Sequence, residues 1–187
     1  MDSTVGTVSA DQFVFGYGSL ASELAGAAVV LRGYRRVWGV AMDNARDLQG
    51  YKHYRLRSDG SRPDVFVAFV DLRAQRGESV RGRCVPVDDA SLEILDRRER
   101  NYRRVDVTAD VDAPPTGTVW AYLGSAPARK RFHAGRRSGS TVVSCDYLQL
   151  VRAGIAALGL GELEEFERSS GLQRLQVWDL ERVENRI

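Results

Sequence analysis

A glycine-containing loop near the start of the chain has the composition of a binding site for a small anionic group. Its residues are Gly16, Tyr17, Gly18, Ser19 and Leu20. Two glycines let a backbone turn sharply and approach a ligand, so the N–H groups of residues 18–20 are able to converge on an oxyanion or a carboxylate. An ordinary turn after a first strand has the same composition, and the loop alone leaves both interpretations open.

The same residues, extended to Ala21, match the G-x-G-x-x-A pattern of a dinucleotide-binding turn. Such a unit needs a crossover helix of about a dozen residues after the turn. Only a short segment, interrupted by Gly26, separates Leu20 from the β-like residues 29–31. Asp43 stands near the place of a ribose-binding carboxylate, but without room for the helix this alternative has little support.

Glu99 is the second candidate, although the charged run around it is of the kind that ordinarily forms a solvated surface. Leu92, Leu95 and Glu99 are spaced by three and four residues, which places them on one stripe of a helix. We expect the carboxylate to point inward near the C-terminal end of that helix, where its pKa is raised toward the range of a general acid/base. The alternative is a buried ion pair with Arg103 or Arg104.

The remaining residues with reactive side chains lack the spacing of known catalytic or metal-binding motifs. His53 and His133 lie far apart in the sequence, which favours surface positions over a metal site. Ser19 lies outside a G-x-S-x-G motif, so we assign it a binding role rather than that of a nucleophile. Tyr122, in a predicted strand at residues 119–123, is either a core aromatic residue or a minor substrate contact.

Length, composition and charge favour a single domain without a nucleic-acid or membrane partner. The chain has 187 residues, of which 43% are hydrophobic, and a formal net charge of +2. No apolar stretch approaches the roughly 20 residues that a membrane span requires, and no basic segment followed by an apolar one marks a secretion signal. We expect a cytoplasmic protein in which Cys84 and Cys145 are free thiols.

Hydrophobic periodicity and turn residues divide the chain into strands followed by helices. Residues 1–12 are predicted as a flexible tail and residues 13–187 as one domain. After the apolar run at 13–15, strands are predicted at 28–42, 65–72, 80–87, 102–108 and 119–123, and helices at 89–101, 144–158 and 163–168. Residues 126–140 are predicted as a basic loop able to act as a lid. The pattern indicates an α+β fold, a small mixed β-barrel flanked by helices.

The loop and the glutamate together carry a resemblance to a known family. Tyr17-Gly18-Ser19-Leu20 after the first strand, with Glu99 in the run Leu95-Asp96-Arg97-Arg98-Glu99-Arg100-Asn101-Tyr102, resembles the γ-glutamylcyclotransferase-like (AIG2-like) superfamily. The resemblance extends from Phe13 to about Gly159 and implies a small β-barrel flanked by helices. It also implies that the loop binds a glutamyl group, that Glu99 is the catalytic acid/base, and that neither a metal nor an organic cofactor takes part.

The reaction that this resemblance implies is the release of 5-oxoproline from a γ-glutamyl compound. The substrate's own α-amine attacks its γ-carbonyl, while Glu99 moves the protons and loop N–H groups hold the substrate. The leaving group is an amine, an amino acid, a peptide or an antibiotic intermediate. Residues 43–62 and 126–140, which depart from the family pattern, are predicted to determine which. A non-catalytic module that binds γ-glutamyl compounds is the alternative.

Overall fold

The computed structural model of the protein describes residues 11–23 and 26–185. The predicted tail therefore lies, apart from its last two residues, outside the described residues. The strands are β1 (Gln12–Gly16), β2 (Ala27–Asp43), β3 (Lys52–Leu56), β4 (Phe66–Pro86), β5 (Tyr102–Asp106), β6 (Thr118–Gly124), β7 (Thr141–Ser144), β8 (Gln176–Trp178) and β9 (Leu180–Glu184). The helices are α1 (Leu20–Glu23), α2 (Asp89–Arg98), α3 (Ala126–Ser138), α4 (Cys145–Ala156) and α5 (Glu162–Ser169), and short 3₁₀ turns lie at Thr108–Asp110 and Leu172–Arg174.

Seven strands form one mixed sheet in the order β5-β6-β1-β4-β7-β8, and β2 pairs with β4 outside this path. Strands β3 and β9 form a separate antiparallel pair. The α+β architecture is confirmed, but the sheet is open among the described strands and the predicted closed barrel is not found. Alternating apolar residues identify strands, whereas closure depends on which edges meet, and local periodicity does not encode that.

Strand β4 is longer than predicted, because the segments expected at 65–72 and 80–87 are one strand paired along its length with β2. The pairing is irregular in the middle: Arg32 pairs with Ser79 and Tyr34 pairs with Ala74, so residues 75–78 of β4 have no partner on β2. Gly77 lies within this excursion with a φ of 87°, a conformation that favours glycine. The predicted break is therefore a bulge rather than the end of a strand.

The other edge of β4 is covered only at its two ends. Strand β7 pairs with residues Phe66 and Val67, and β1 pairs with residues 83–86. Between these contacts the edge of β4 leaves a gap in the sheet. The backbone of Val70, which lies in this gap, is bonded by side chains: Tyr147 accepts from its N–H at 3.4 Å and Tyr102 donates to its carbonyl at 2.7 Å. The gap is therefore lined by tyrosines instead of being filled by a strand.

The segment at residues 126–140 is helix α3, so its prediction as a loop is wrong. Ser125 caps the helix by accepting from the N–H of Ala128 at 3.4 Å, and Gly139 ends it in a left-handed conformation with a φ of 71°. Ala128 and Phe132, one turn apart, are buried against the sheet. Arginine has a high helix propensity, and this helix buries few apolar residues. The hydrophobic periodicity of the segment is therefore too weak to predict a helix.

The short helix α1 was not predicted, and the three predicted helices differ from the observed α2, α4 and α5 only at their ends. Helix α2 begins at Asp89 as predicted, with Asp88 accepting from the N–H of Ser91 at 2.7 Å, but it ends at Arg98 instead of residue 101. Ser144 precedes α4 without capping it, because its hydroxyl donates to the carbonyl of Leu180. None of the helices in the described residues is long and apolar enough to span a membrane.

A fully buried carboxylate, that of Asp71 on β4, joins three elements of the fold. Its Oδ1 accepts from the N–H of Gly124 on β6 at 2.8 Å, and its Oδ2 accepts from Nε of Arg129 on α3 at 2.8 Å. Nε of Arg73 lies 3.0 Å from the same Oδ2. A Cβ at position 124 would lie 2.7 Å from Oδ1, so glycine is required there. The contact fixes α3 and β6 relative to β4.

Replacing Asp71 by alanine should strongly destabilise the fold, because the N–H of Gly124 and the guanidinium of Arg129 lose their acceptor. We expect the free energy of unfolding to fall by about 3–5 kcal/mol, the cost of removing one partner of a buried ion pair. Chemical denaturation followed by circular dichroism measures the change. Asp112→Ala, which removes an exposed ion pair with Arg32, is the control and should leave the midpoint nearly unchanged. Equal losses in both variants would contradict the role assigned to Asp71.

Candidate active site

A cavity of about 170 Å3 opens where β4 leaves the gap in the sheet. The loop after β1, the end of α2, the first residues of β3 and β5, and the start of α4 surround it. Its lining residues are Tyr17, Gly18, Ser19, Leu20, Tyr51, Lys52, Tyr54, Phe69, Val70, Arg98, Glu99, Asn101, Tyr102, Tyr122, Ser144, Asp146, Tyr147, Leu150 and Arg182. Every residue predicted for the site is among them, and their roles stay predictions.

The loop turns from β1 directly into the short helix α1. Its first hydrogen bonds run from Ala21 N to Gly18 O and from Ser22 N to Ser19 O, both at 3.0 Å. The amides of Ser19 and Leu20 precede these donors, in the position where helical N–H groups have no acceptor within the helix. Gly16 is not in a left-handed conformation, and glycine is favoured there by space: a Cβ would lie 3.0 Å from Ala21 N.

Glu99 forms the C-terminal boundary of α2, with a φ of −89° and a ψ of 46°. Its N–H still donates to the carbonyl of Leu95 at 2.8 Å, while its side chain, 15% exposed, lines the cavity. Oε1 lies 3.3 Å from Nε of Arg98. The ion pair considered with Arg103 or Arg104 is thus replaced by one with the preceding residue, and Arg104 instead pairs with Asp96 at 3.3 Å.

Two of the predicted contacts, Tyr17 and Tyr122, are tied to one another and to α2. The hydroxyl of Tyr17 donates to the carbonyl of Tyr122, and the hydroxyl of Tyr122 donates to Oδ1 of Asp96 at 2.8 Å. Burial raises the pKa of both phenols. These side chains are therefore neutral donors that fix the wall of the cavity, with the Tyr122 hydroxyl already engaged by a carboxylate.

Tyr102 and Tyr147 form the wall on the side of β4. Burial is the main cause of the raised pKa of each phenol. The Tyr102 hydroxyl donates to the carbonyl of Val70 and the Tyr147 hydroxyl accepts from its N–H, while the Tyr147 ring packs edge-on against that of Phe69 at 5.0 Å between centroids. The cavity thus presents mainly aromatic carbon to a ligand, which leaves the charged groups around Glu99 as its polar end.

Lys52 is one of the lining residues that were not predicted from the sequence, and it carries a charge. Its Nζ lies 4.6 Å from the ring centroid of Phe69 and 5.5 Å from that of Tyr51, and no carboxylate of the described residues is within ion-pair distance of it. Burial, followed by the charge of Arg182, lowers the pKa of Lys52 to about 8. The available signal was the spacing of Lys52 and Tyr54, which share one face of a strand.

Other candidates lie outside the cavity. Helix α3 contributes no lining residue, so the predicted lid at residues 126–140 is wrong, and His53, His133 and Asp43 are also absent from the lining. Among residues 11–23 and 26–185, no three or more His, Cys, Asp or Glu side chains group as metal ligands. Cys84 and Cys145 are free thiols.

Comparison with solved structures identifies proteins of the same fold. A protein described as γ-glutamyl cyclotransferase is 17% identical, with 83% of this chain and 84% of that chain aligned at a TM-score of 0.50. An uncharacterised protein from Homo sapiens is 18% identical, with the same coverage and TM-score. YkqA from Bacillus subtilis is 16% identical over 88% of this chain and 55% of its own, at a TM-score of 0.53. A search of curated proteins finds no match.

A family model adds sequence information to this likeness of fold. The model described as "Gamma-glutamyl cyclotransferase, AIG2-like" matches residues 14–149, a span that begins in β1 and ends in α4. The match includes both the loop and Glu99. Because it spans well over half of the sequence, the chain belongs to the γ-glutamyl cyclotransferase, AIG2-like, family.

Proposed function

We propose that the protein is a cyclotransferase that releases 5-oxoproline from a γ-glutamyl amine, amino acid or peptide. One observation carries the proposal: the Glu99 carboxylate and the loop at residues 17–20 line the same small cavity. Family membership supports the general kind of enzyme. The cavity, at about 170 Å3, suits a compact glutamyl group, whereas a long leaving group has to extend toward its mouth.

In this reaction the cavity holds the γ-glutamyl chain folded, so that its α-nitrogen approaches its γ-carbon. Glu99 takes a proton from the α-ammonium, and the free amine attacks the γ-carbonyl to form the carbon–nitrogen bond of the five-membered lactam. The bond from the γ-carbon to the departing amine then breaks as Glu99 returns the proton to that amine. The restored carboxylate next takes the second proton from the ring nitrogen and passes it to the same amine, which leaves as an ammonium ion. The cavity holds the two reacting groups of one molecule in contact. This proximity lowers the entropic part of the activation free energy.

The oxygen of the γ-carbonyl becomes negative during the attack. We assign its stabilisation to the amides of Ser19 and Leu20, two cavity-lining residues that precede the first hydrogen-bonded amide of α1, where a helix offers N–H groups no acceptor. The aromatic walls contribute by excluding water, because these amides interact more strongly with a charge in an environment of low dielectric constant. The same walls disfavour the ammonium form of the substrate, which assists its deprotonation by Glu99.

Lys52 is the cation that we assign to the substrate's α-carboxylate. The α-carboxylate and the α-amine share a carbon atom, so a group that binds the carboxylate has to lie on the same side of the cavity as the base. Lys52 lines the same small cavity as Glu99, and it lies near enough for the charge of Glu99 to act on its pKa, after the larger effects of burial and Arg182. The two other cations of the lining are paired with carboxylates, Arg98 with Glu99 and Arg182 with Glu184.

Glu99→Gln should lower the rate of 5-oxoproline formation by roughly 10²- to 10⁴-fold, because an amide cannot accept the α-ammonium proton. Mass spectrometry of the product from a panel of γ-glutamyl compounds measures the rate. Glu93→Gln, on the exposed face of the same helix, is the matched control and should retain activity. Full turnover by Glu99→Gln would disprove the mechanism, and tight binding without product in the native protein would favour a non-catalytic binding module.

Lys52→Met should weaken inhibition by 5-oxoproline by roughly tenfold to a hundredfold, the value of a hydrogen bond to a charged group. In the native protein this inhibition should also weaken as the pH rises through about 8, because Lys52 then loses its charge. 5-Oxoproline has no titrating amine, so its own charge is constant in this range.

The control for this experiment is Arg55→Met, which removes an exposed cation from the same strand. It should leave both the inhibition constant and its pH dependence unchanged. A native inhibition constant that is flat between pH 7 and 9, roughly one unit to either side of the pKa, would contradict the assignment of Lys52.

A further inference from the structure

A second and larger groove, of about 980 Å3, lies between α3, the middle of the β2–β4 ribbon and the segment that follows α5. We call it the arginine groove. Its lining residues are Arg35, Val37, Trp38, Arg73, Ala74, Gln75, Arg129, Phe132, His133, Arg136, Arg137, Arg168, Ser169, Ser170, Gly171, Gln173 and Arg174. It shares no lining residue with the candidate active site.

The arginine groove is much more positively charged than the chain as a whole. Seven of its lining residues are arginines and none is Asp or Glu, whereas the chain has a net charge of +2. The carboxylates that reach these arginines are Asp71, beside Arg73 and Arg129, and Glu165, beside Arg168. If each of the two neutralises one guanidinium, five positive charges remain around one concave surface.

Three of these guanidinium groups are available to a ligand. The side chains of Arg136, Arg137 and Arg174 make no hydrogen bond or ion pair with another described residue, and Arg137 and Arg174 are exposed. Arg136 and Arg137 belong to the last turn of α3, where positive charge also stabilises the helix end. Helix stabilisation needs only positive charge, however, and does not require a concave cluster contributed by separate elements of the fold.

Two further observations support a ligand site in this groove: unpaired polar atoms and a lowered histidine pKa. Trp38 and Ser170, each 4% exposed, line the groove, and their Nε1 and Oγ atoms have no hydrogen-bond partner among the described residues. His133 lies with Nε2 3.4 Å from Nη2 of Arg73. Burial and then the charges of Arg73, Arg137 and Arg136 lower its pKa, as expected in a positive potential.

We propose that the arginine groove binds a small molecule that carries two or more adjacent phosphate groups. Guanidinium groups match phosphate oxygens with paired hydrogen bonds, and a polyphosphate supplies enough negative charge to offset the five arginines. The aromatic residues of the groove, Trp38 and Phe132, are 4% and 7% exposed. Neither of these two rings is free for a nucleobase to stack on, and the guanidinium groups favour recognition of the phosphates.

Calorimetric titration of the full chain tests this proposal with four probes at equal ionic strength: inorganic phosphate, tripolyphosphate, ADP and a single-stranded oligonucleotide. We expect saturable binding of tripolyphosphate and ADP, each at least roughly tenfold tighter than phosphate, because several guanidinium groups then bind at once. Similar binding of all three small anions would overturn it. Binding of the oligonucleotide well above that of tripolyphosphate would overturn it in favour of a nucleic-acid surface.

Three double variants separate a built site from general charge attraction. Arg136→Gln with Arg137→Gln should weaken tripolyphosphate binding by roughly tenfold or more. Arg55→Gln with Arg103→Gln removes the same net charge from exposed positions outside the groove and should leave binding unchanged. Arg136→Lys with Arg137→Lys keeps the charge at the helix end but loses the paired hydrogen bonds, so it should also weaken binding. Equal effects of the first two variants would overturn the proposal.

Nuclear magnetic resonance of the two histidines gives an independent readout. A bound polyphosphate offsets the neighbouring arginines, so saturation with tripolyphosphate should raise the pKa of His133. His53, which is hydrogen-bonded to Asn185 and lies outside the groove, is the internal control, and its ring resonances at constant pH should not move when tripolyphosphate is added. An unchanged His133 titration at saturation would place the bound anion elsewhere and overturn the proposal.

Discussion

The carboxylate of Asp71 is completely removed from water, and the surrounding elements are arranged so that it keeps its partners. A buried charge is tolerated only when it is paired and hydrogen-bonded. Here the pairing comes from Arg129 on α3 and the backbone of Gly124 on β6, so neither element can shift along β4 without exposing the charge to an apolar interior. The side wall of the candidate active site is held by this contact, because Val70 directly precedes Asp71. The charge of Asp71 also contributes to the raised pKa of Tyr17.

Much of the candidate site could be predicted from the sequence because its parts are encoded locally. The loop follows the first apolar run directly, and the inward position of Glu99 follows from its helical spacing to Leu92. Local spacing also explains the limits. Helix α2 ends at Arg98 and not at residue 101, because helix periodicity does not determine where a helix ends. Glu99 pairs with Arg98, and among the described residues the pair considered with Arg103 or Arg104 is not found.

The features that escaped prediction depend on contacts between distant segments. Lys52 lies in the cavity because β3 pairs with β9, a strand far away in the sequence. Local sequence patterns do not predict such a pairing. Helix α3 contains few apolar residues, so the apolar pattern does not predict it, and the contact of Arg129 with Asp71 joins it to a distant strand. The arginine groove could not be predicted either, because its arginines come from segments that are distant in the sequence. A net charge near zero says nothing about how the charges are distributed.

The backbone of Val70 completes its hydrogen bonds with the hydroxyls of Tyr102 and Tyr147 rather than with a neighbouring strand. The N–H and the carbonyl of Val70 are therefore both hydrogen-bonded within the protein before a ligand binds. A substrate that enters the gap does not have to break a backbone hydrogen bond or replace one. The site is preorganised in this sense, and the free energy of contact with the aromatic walls remains available for binding and orienting a ligand.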